Sequence, residues 1–89
     1  MTKYKMTDLA VYNFNTDDYR YYKDSETNLV KIVLYCGYKA FVIFIDHINN
    51  FSYDNNIITL NMYNEIYNFT FLDLDMMYDI ISKLREKIN

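Results

Sequence analysis

Eighty-nine residues with twelve acids against nine bases carry a formal charge of −3; with 52% hydrophobic and 24% charged side chains, they read as one globular domain, 1–89, and exclude a disordered tail. One glycine, one histidine, one cysteine and no proline or tryptophan exclude a glycine-rich phosphate loop, an internal disulfide and a His/Cys metal cluster. Phe, Tyr, Met, Ile, Asn and Lys supply 50 of the 89 residues; their codons are AT-rich, so the many tyrosines and asparagines are discounted as functional signal, and the bias fits low-GC bacteria, their phages and plasmids, and some archaeal viruses.

The chain opens MTKYKMTDLA, without the apolar segment of a signal peptide, and no stretch reaches the roughly 18 apolar residues of a membrane span. A cytoplasmic protein is expected, in the host cytoplasm if a phage encodes it. DLAVYNF (8–14) reads as a strand. DDYRYYK (17–23) fits a strand or a short helix, and KDSETN (23–28) is a polar turn.

LVKIVLYCGYKAFVIFID (29–46) is the clearest local signal. Two β-branched and aromatic runs flank the single glycine, which predicts a hairpin turning at Cys36–Gly37. Val30, Ile32, Leu34 and Cys36 share one face of the first arm; Phe41, Ile43 and Ile45 share one face of the second. The other face of the second arm, Ala40, Val42 and Phe44, is apolar too. That strand is therefore expected to be central and covered on both sides. Cys36 reads as a buried thiol.

NNIITLNMY (55–63) and EIYNFTF (65–71) read as a second hairpin, with Ile58, Leu60 and Met62 on one side and Tyr67, Phe69 and Phe71 on another. The C-terminus reads as a helix: Leu74, Met77, Tyr78, Ile81, Leu84 and Ile88 follow the 3.6-residue period, and Leu74, Met77, Ile81 and Leu84 form the expected buried stripe. Asp73 is the expected N-cap with Leu72 and Met77 as a hydrophobic staple, and Thr70 offers a competing cap one turn earlier. The fold class expected is α+β, an antiparallel sheet of four to six strands with one C-terminal helix packed on it.

No catalytic or cofactor motif appears, and an enzyme is not expected. His47, the lone histidine, reads as a surface loop residue. The informative feature is charge patterning. Between Ala40 and Ser82 stand six acids, Asp46, Asp54, Glu65, Asp73, Asp75 and Asp79, and no lysine or arginine, where roughly four would be expected from average usage. Acids early and bases late suit any helix dipole, which accounts for Asp73, Asp75 and Asp79. Dipole chemistry does not account for the base-free stretch before them. These six acids, with Tyr63, Tyr67 and Tyr78 as anchors, are the candidate partner-binding surface; it would attract a basic protein and repel nucleic acid. DYRYYK (18–23) interleaves bases with aromatics in the manner of single-strand binders, but Asp17, Asp18, Asp24 and Glu26 bracket it.

In size, acidity and composition the whole chain resembles small acidic anti-CRISPR proteins and the acidic immunity proteins of nuclease bacteriocins. The resemblance implies a phage- or plasmid-encoded stoichiometric inhibitor: an acidic face acting as a nucleic-acid mimic that blocks a host nuclease or CRISPR effector through protein–protein interaction. The alternatives are a self-associating structural or regulatory module, as a homodimer, and a direct nucleic-acid binder.

Overall fold

The computed structural model describes residues 9–87. Seven strands precede one helix: β1 (Ala10–Thr16), β2 (Asp18–Lys23), β3 (Val30–Cys36), β4 (Lys39–Phe44), β5 (Asn50–Asp54), β6 (Ile57–Met62), β7 (Glu65–Phe71) and α1 (Leu74–Lys87), with a single 3-10 turn, Ile45–His47, between β4 and β5. The class is α+β as the patterning predicts. The strands outnumber the expected four to six because 18–23 resolves as strand and because β5, Asn-Phe-Ser-Tyr-Asp, carries too little apolar alternation to be read in advance.

The strands form two sheets, one ordered β1-β7-β6-β5 and one ordered β2-β3-β4. Every pairing is antiparallel except β1 with β7, which is parallel. Asp17 alone separates β1 from β2, so one extended segment passes from the four-stranded sheet to the three-stranded one. The corner is held by Asp17 N–H donating to the Tyr35 carbonyl at 2.7 Å and by Gly37 N–H donating to Asp17 Oδ2 at 2.8 Å.

β3 is the central strand of the smaller sheet, and five of its seven residues are buried. The expectation that the 40–46 strand is central is overturned. β4 is an edge strand; Ala40 and Val42 are exposed, Val42 by 52%. Its continuous apolar run reflects one face packed in the core and one left open. The hairpin turns one residue later than expected, at Gly37–Tyr38, with Cys36 paired to Lys39. Gly37 has φ +67°, the left-handed region that a first turn residue of this kind requires. In the β6–β7 hairpin Tyr63 and Asn64 both take positive φ, 56° and 59°, as a two-residue type I′ turn demands. Residues 55 and 56 are turn, not strand.

Asp73 caps α1 as expected: its Oδ1 accepts from the N–H groups of Asp75 (3.0 Å) and Met76 (3.2 Å). Thr70 lies within β7. The staple does not form, since Leu72 is 96% exposed. The buried stripe is Met77, Ile80, Ile81 and Leu84; Leu74 and Tyr78 are exposed. The one-step rotation follows from Ile80, which fills the core at the position the 3.6-residue pattern leaves to Tyr78. Ile88 lies outside the described residues.

The core is the space between the sheets. Ile58, Leu60, Phe69 and Phe71 of one sheet meet Ile32, Leu34 and Ile43 of the other, and Ile80 and Leu84 of α1 close the gap. On one flank Phe14 of β1 packs on Phe41 of β4, ring centroids 4.3 Å apart. On another, Tyr53 of β5 sits edge-on to Tyr78 of α1 and accepts a hydrogen bond from Arg85 at 2.6 Å. Lys83 lies over the Tyr21 ring of β2 at 5.0 Å. The helix thus touches both sheets, and each buried aromatic or branched side chain at this junction contributes about 1.5–3 kcal/mol of transfer free energy. Cys36 is a buried free thiol beside the Thr16 hydroxyl at 3.7 Å. Burial pushes its pKa up, which lowers its thiolate fraction.

Candidate functional site

The two sheets divide the charges. β1, β5, β6 and β7 hold no lysine or arginine; their charged residues are Asp54 and Glu65. Arg20, Lys23, Lys31 and Lys39 all belong to β2, β3 and β4. The base-free stretch, Ala40–Ser82, takes in most of β4, then β5, β6, β7 and the first half of α1, and β1, which pairs with β7, carries no base either.

The nine candidate residues do not form one surface. Asp54 pairs with Ile57, and Ile57 with Thr70, three residues before Asp73. Phe71 N–H donates to the Asn56 carbonyl at 2.8 Å, so the β5–β6 turn lies beside the entry to α1. Asp54, Asp73 and Asp75 consequently share one end of the sheet. Glu65 and Tyr63 sit at the opposite end, where Met62 pairs with Glu65, and the length of β6, about 17 Å, separates the two ends. Asp46 lies in the 3-10 turn, whose His47 Nδ1 is 2.5 Å from the Tyr63 hydroxyl.

The acids also differ in how they are engaged. Asp73 caps the helix. Asp79 pairs with Lys83 at 3.2 Å, four residues on, an exposed pair of the ordinary helical kind. Glu65 accepts from the Tyr12 hydroxyl at 3.4 Å and from the Tyr67 hydroxyl. Donating to that carboxylate, and losing water, pushes the Tyr67 pKa up to about 12. Tyr67 is half-buried between Tyr12 and Phe69, and Tyr78 stands against Tyr53. Asp46, Asp54 and Asp75 are exposed, and their carboxylates make no hydrogen bond or ion pair to another described residue.

One acid that sequence order did not place in the set joins this end. The parallel ladder puts Thr16 opposite Phe71, so Asp17 and Leu72 are the next residues on adjacent strands. Only long-range pairing reveals that neighbourhood; no local pattern signals it. The same end carries the two most exposed large apolar side chains among the described residues, Leu72 and, at the β3–β4 turn that Asp17 braces, Tyr38, 98% exposed.

Among the described residues no three His, Cys, Asp or Glu side chains gather as a metal site, and no helix is long and apolar enough to cross a membrane. No family model, curated protein or solved structure matches the chain.

Proposed function

We propose that the chain is a non-enzymatic binding protein that docks on a basic surface of a protein partner through the Asp17, Asp54, Asp73 and Asp75 end of the four-stranded sheet, with Leu72 and Tyr38 as apolar anchors. The observation that carries this reading is the absence of any lysine or arginine from the four strands of that sheet, next to two large side chains left almost wholly bare. Carboxylates on a sheet whose strands carry no cation steer a basic partner, with Lys39 next to Tyr38 as the one described cation at the margin, and exposed apolar groups between them supply contact area. Asp46, Glu65 and Tyr63 at the far end form a second acidic rim, with Tyr67 half-buried behind it; Asp79 and Tyr78 stand on the helix between.

A protein that grips DNA or RNA offers the complementary basic groove, and a nuclease or CRISPR effector is the class of partner that fits. On this reading the encounter occurs in the cytoplasm and the outcome is stoichiometric inhibition. The test is a mobility-shift panel of CRISPR effector complexes and bacteriocin nuclease domains, each given its DNA with and without the chain. The expected result is loss of DNA binding by at least one of them at near-equimolar chain, and restoration of DNA binding when Asp54→Lys/Asp75→Lys replaces the wild type. Inhibition by the double variant as strong as by wild type would contradict the acidic docking, and no inhibition across the panel would contradict the partner class.

A further inference from the structure

The outer face of the smaller sheet has a different chemistry, independent of the acidic end. Pairing places three rows on it: Asp18, Tyr35 and Ala40; Arg20, Val33 and Val42; Tyr22, Lys31 and Phe44. Strand alternation sends Tyr19 and Tyr21 inward and leaves Arg20 and Tyr22 outward, so the DYRYYK run splits into a core half and a surface half. Beside the third row lies a concavity of about 360 Å³ lined by Tyr22, Lys23, Asp24, Leu29, Lys31 and Phe44. Lys31 Nζ sits 5.2 Å from the centre of the Tyr22 ring.

The acids around this run are turned to other work. Asp17 accepts from Gly37 N–H at 2.8 Å, Asp18 Oδ1 from Tyr19 N–H at 2.8 Å, and Asp24 Oδ1 from Glu26 N–H at 2.9 Å. The Glu26 N–H and the Thr27 hydroxyl hold the Asp24 carboxyl below its ordinary pKa, which ties that charge to the 24–27 turn. Arg20 and Lys31 thus stand on the outer face, and Lys23, at the end of β2, joins Lys31 at the rim of the concavity with Asp24; none of the three is ion-paired to a carboxylate of a described residue.

We infer that this face binds a single strand of nucleic acid, with bases stacked on Tyr22 and Phe44 and phosphates on Arg20, Lys23 and Lys31. Every base offers a π-face to an aromatic ring, and a cation track beside the rings holds the backbone. A three-stranded face of six- and seven-residue strands is about 20 Å long and about 14 Å across, room for roughly three nucleotides. That footprint, near 300 Å², is well below the roughly 800 Å² per partner of a stable protein dimer, and a second copy would bring the same three cations against their equals.

The test is fluorescence anisotropy of a labelled oligothymidylate of about a dozen nucleotides. Three phosphate contacts predict an affinity falling about 20-fold between about 50 and about 200 mM salt; Lys23→Gln/Lys31→Gln should weaken binding and flatten that fall to about 3-fold. Tyr22→Ala should weaken it roughly 5- to 100-fold at unchanged salt slope. Asp54→Asn, on the other sheet, should change neither. Circular dichroism shows whether each variant is folded; all three cationic and aromatic positions are surface sites. Absence of binding at low salt, equal binding by folded Lys23→Gln/Lys31→Gln, or thymidine monophosphate competing as well as the strand per base would overturn the inference. So would light scattering in which wild type is a dimer and Tyr22→Ala a 10.9 kDa monomer, the signature of a second copy on this face. Failure here leaves the acidic docking untouched, since that uses none of Arg20, Tyr22, Lys23, Lys31 or Phe44.

Discussion

The outer faces of the two sheets are made by the same strand alternation and come out opposite in character. On the four-stranded sheet the outward rows are Val11, Ile66, Asn61 and Asn50; Asn13, Asn68, Thr59 and Ser52; and Asn15, Thr70, Ile57 and Asp54. Twelve positions hold one charge, and the polar groups satisfy one another: Thr59 donates to Asn68 at 2.7 Å, Asn68 to Asn13 at 3.0 Å, and Asn61 to Asn50 at 2.7 Å. On the three-stranded sheet nine positions hold Asp18, Arg20 and Lys31 among aromatic and aliphatic groups that are exposed or half-buried except for the buried Val33 at the centre. An AT-rich vocabulary supplies asparagine, tyrosine and isoleucine to both. What separates the faces is where the few cations fall, and that is why composition alone says little and topology says more.

The comparison is broken most severely at the junction of the sheets. Phe69, wholly buried, touches Phe14 of its own sheet and Phe41 of the other. Phe69→Ala should cost about 3–5 kcal/mol, a large part of a total on the order of 4–13 kcal/mol for this length, and denaturant unfolding should show both sheets lost in one transition. Ile81→Ala, removing helix packing from the same core, should cost about 2–5 kcal/mol in the same measurement. Unchanged unfolding would rule out the helix seat.

Two milder substitutions sharpen the contrast between the outer faces. Asn68→Ala removes two bonds from the polar ladder and should cost about 1–2 kcal/mol, whereas Val42→Thr, on the open face, should stay within about 0.5 kcal/mol. Equal costs would mean the ladder contributes nothing. The smallest effect is a titration. Tyr67 has its pKa raised from 10.0 to about 12, mainly by donating to Glu65. A group held protonated in this way stabilises the fold below the unfolded value, and that stability is lost as pH rises from about 10 to about 12. Tyrosinate absorbance should show Tyr67 among the last to ionise, and Glu65→Gln should bring it down.

Much of the fold was legible because burial writes period-2 and period-3.6 patterns into the chain. The β3 and β6 faces, Phe69 and Phe71, the Asp73 cap and three of the four buried helix positions follow from those periods. β5 was not legible, because an edge strand packing chiefly through Phe51 and Tyr53 carries little alternation. β4 misled because an apolar residue on an open face reads the same as one under a second layer. The site was legible only as a count of missing cations. That Asp17 lies beside Leu72, and that Glu65 lies a strand's length from Asp54, depends on the β1–β7 and β6–β7 registers, which no local window contains.

The central claim is that a cationic partner is taken up at one end of the four-stranded sheet. Amide chemical shifts recorded while a short oligolysine is added test it without knowing the partner. The account predicts shifts at Asp17, Asp54, Asp73, Asp75 and Leu72, weakened by salt and lost in Asp54→Lys/Asp75→Lys, with β3 and β4 silent. Shifts spread evenly over all exposed acids, or centred on the helix around Asp79 and Glu86, would contradict it.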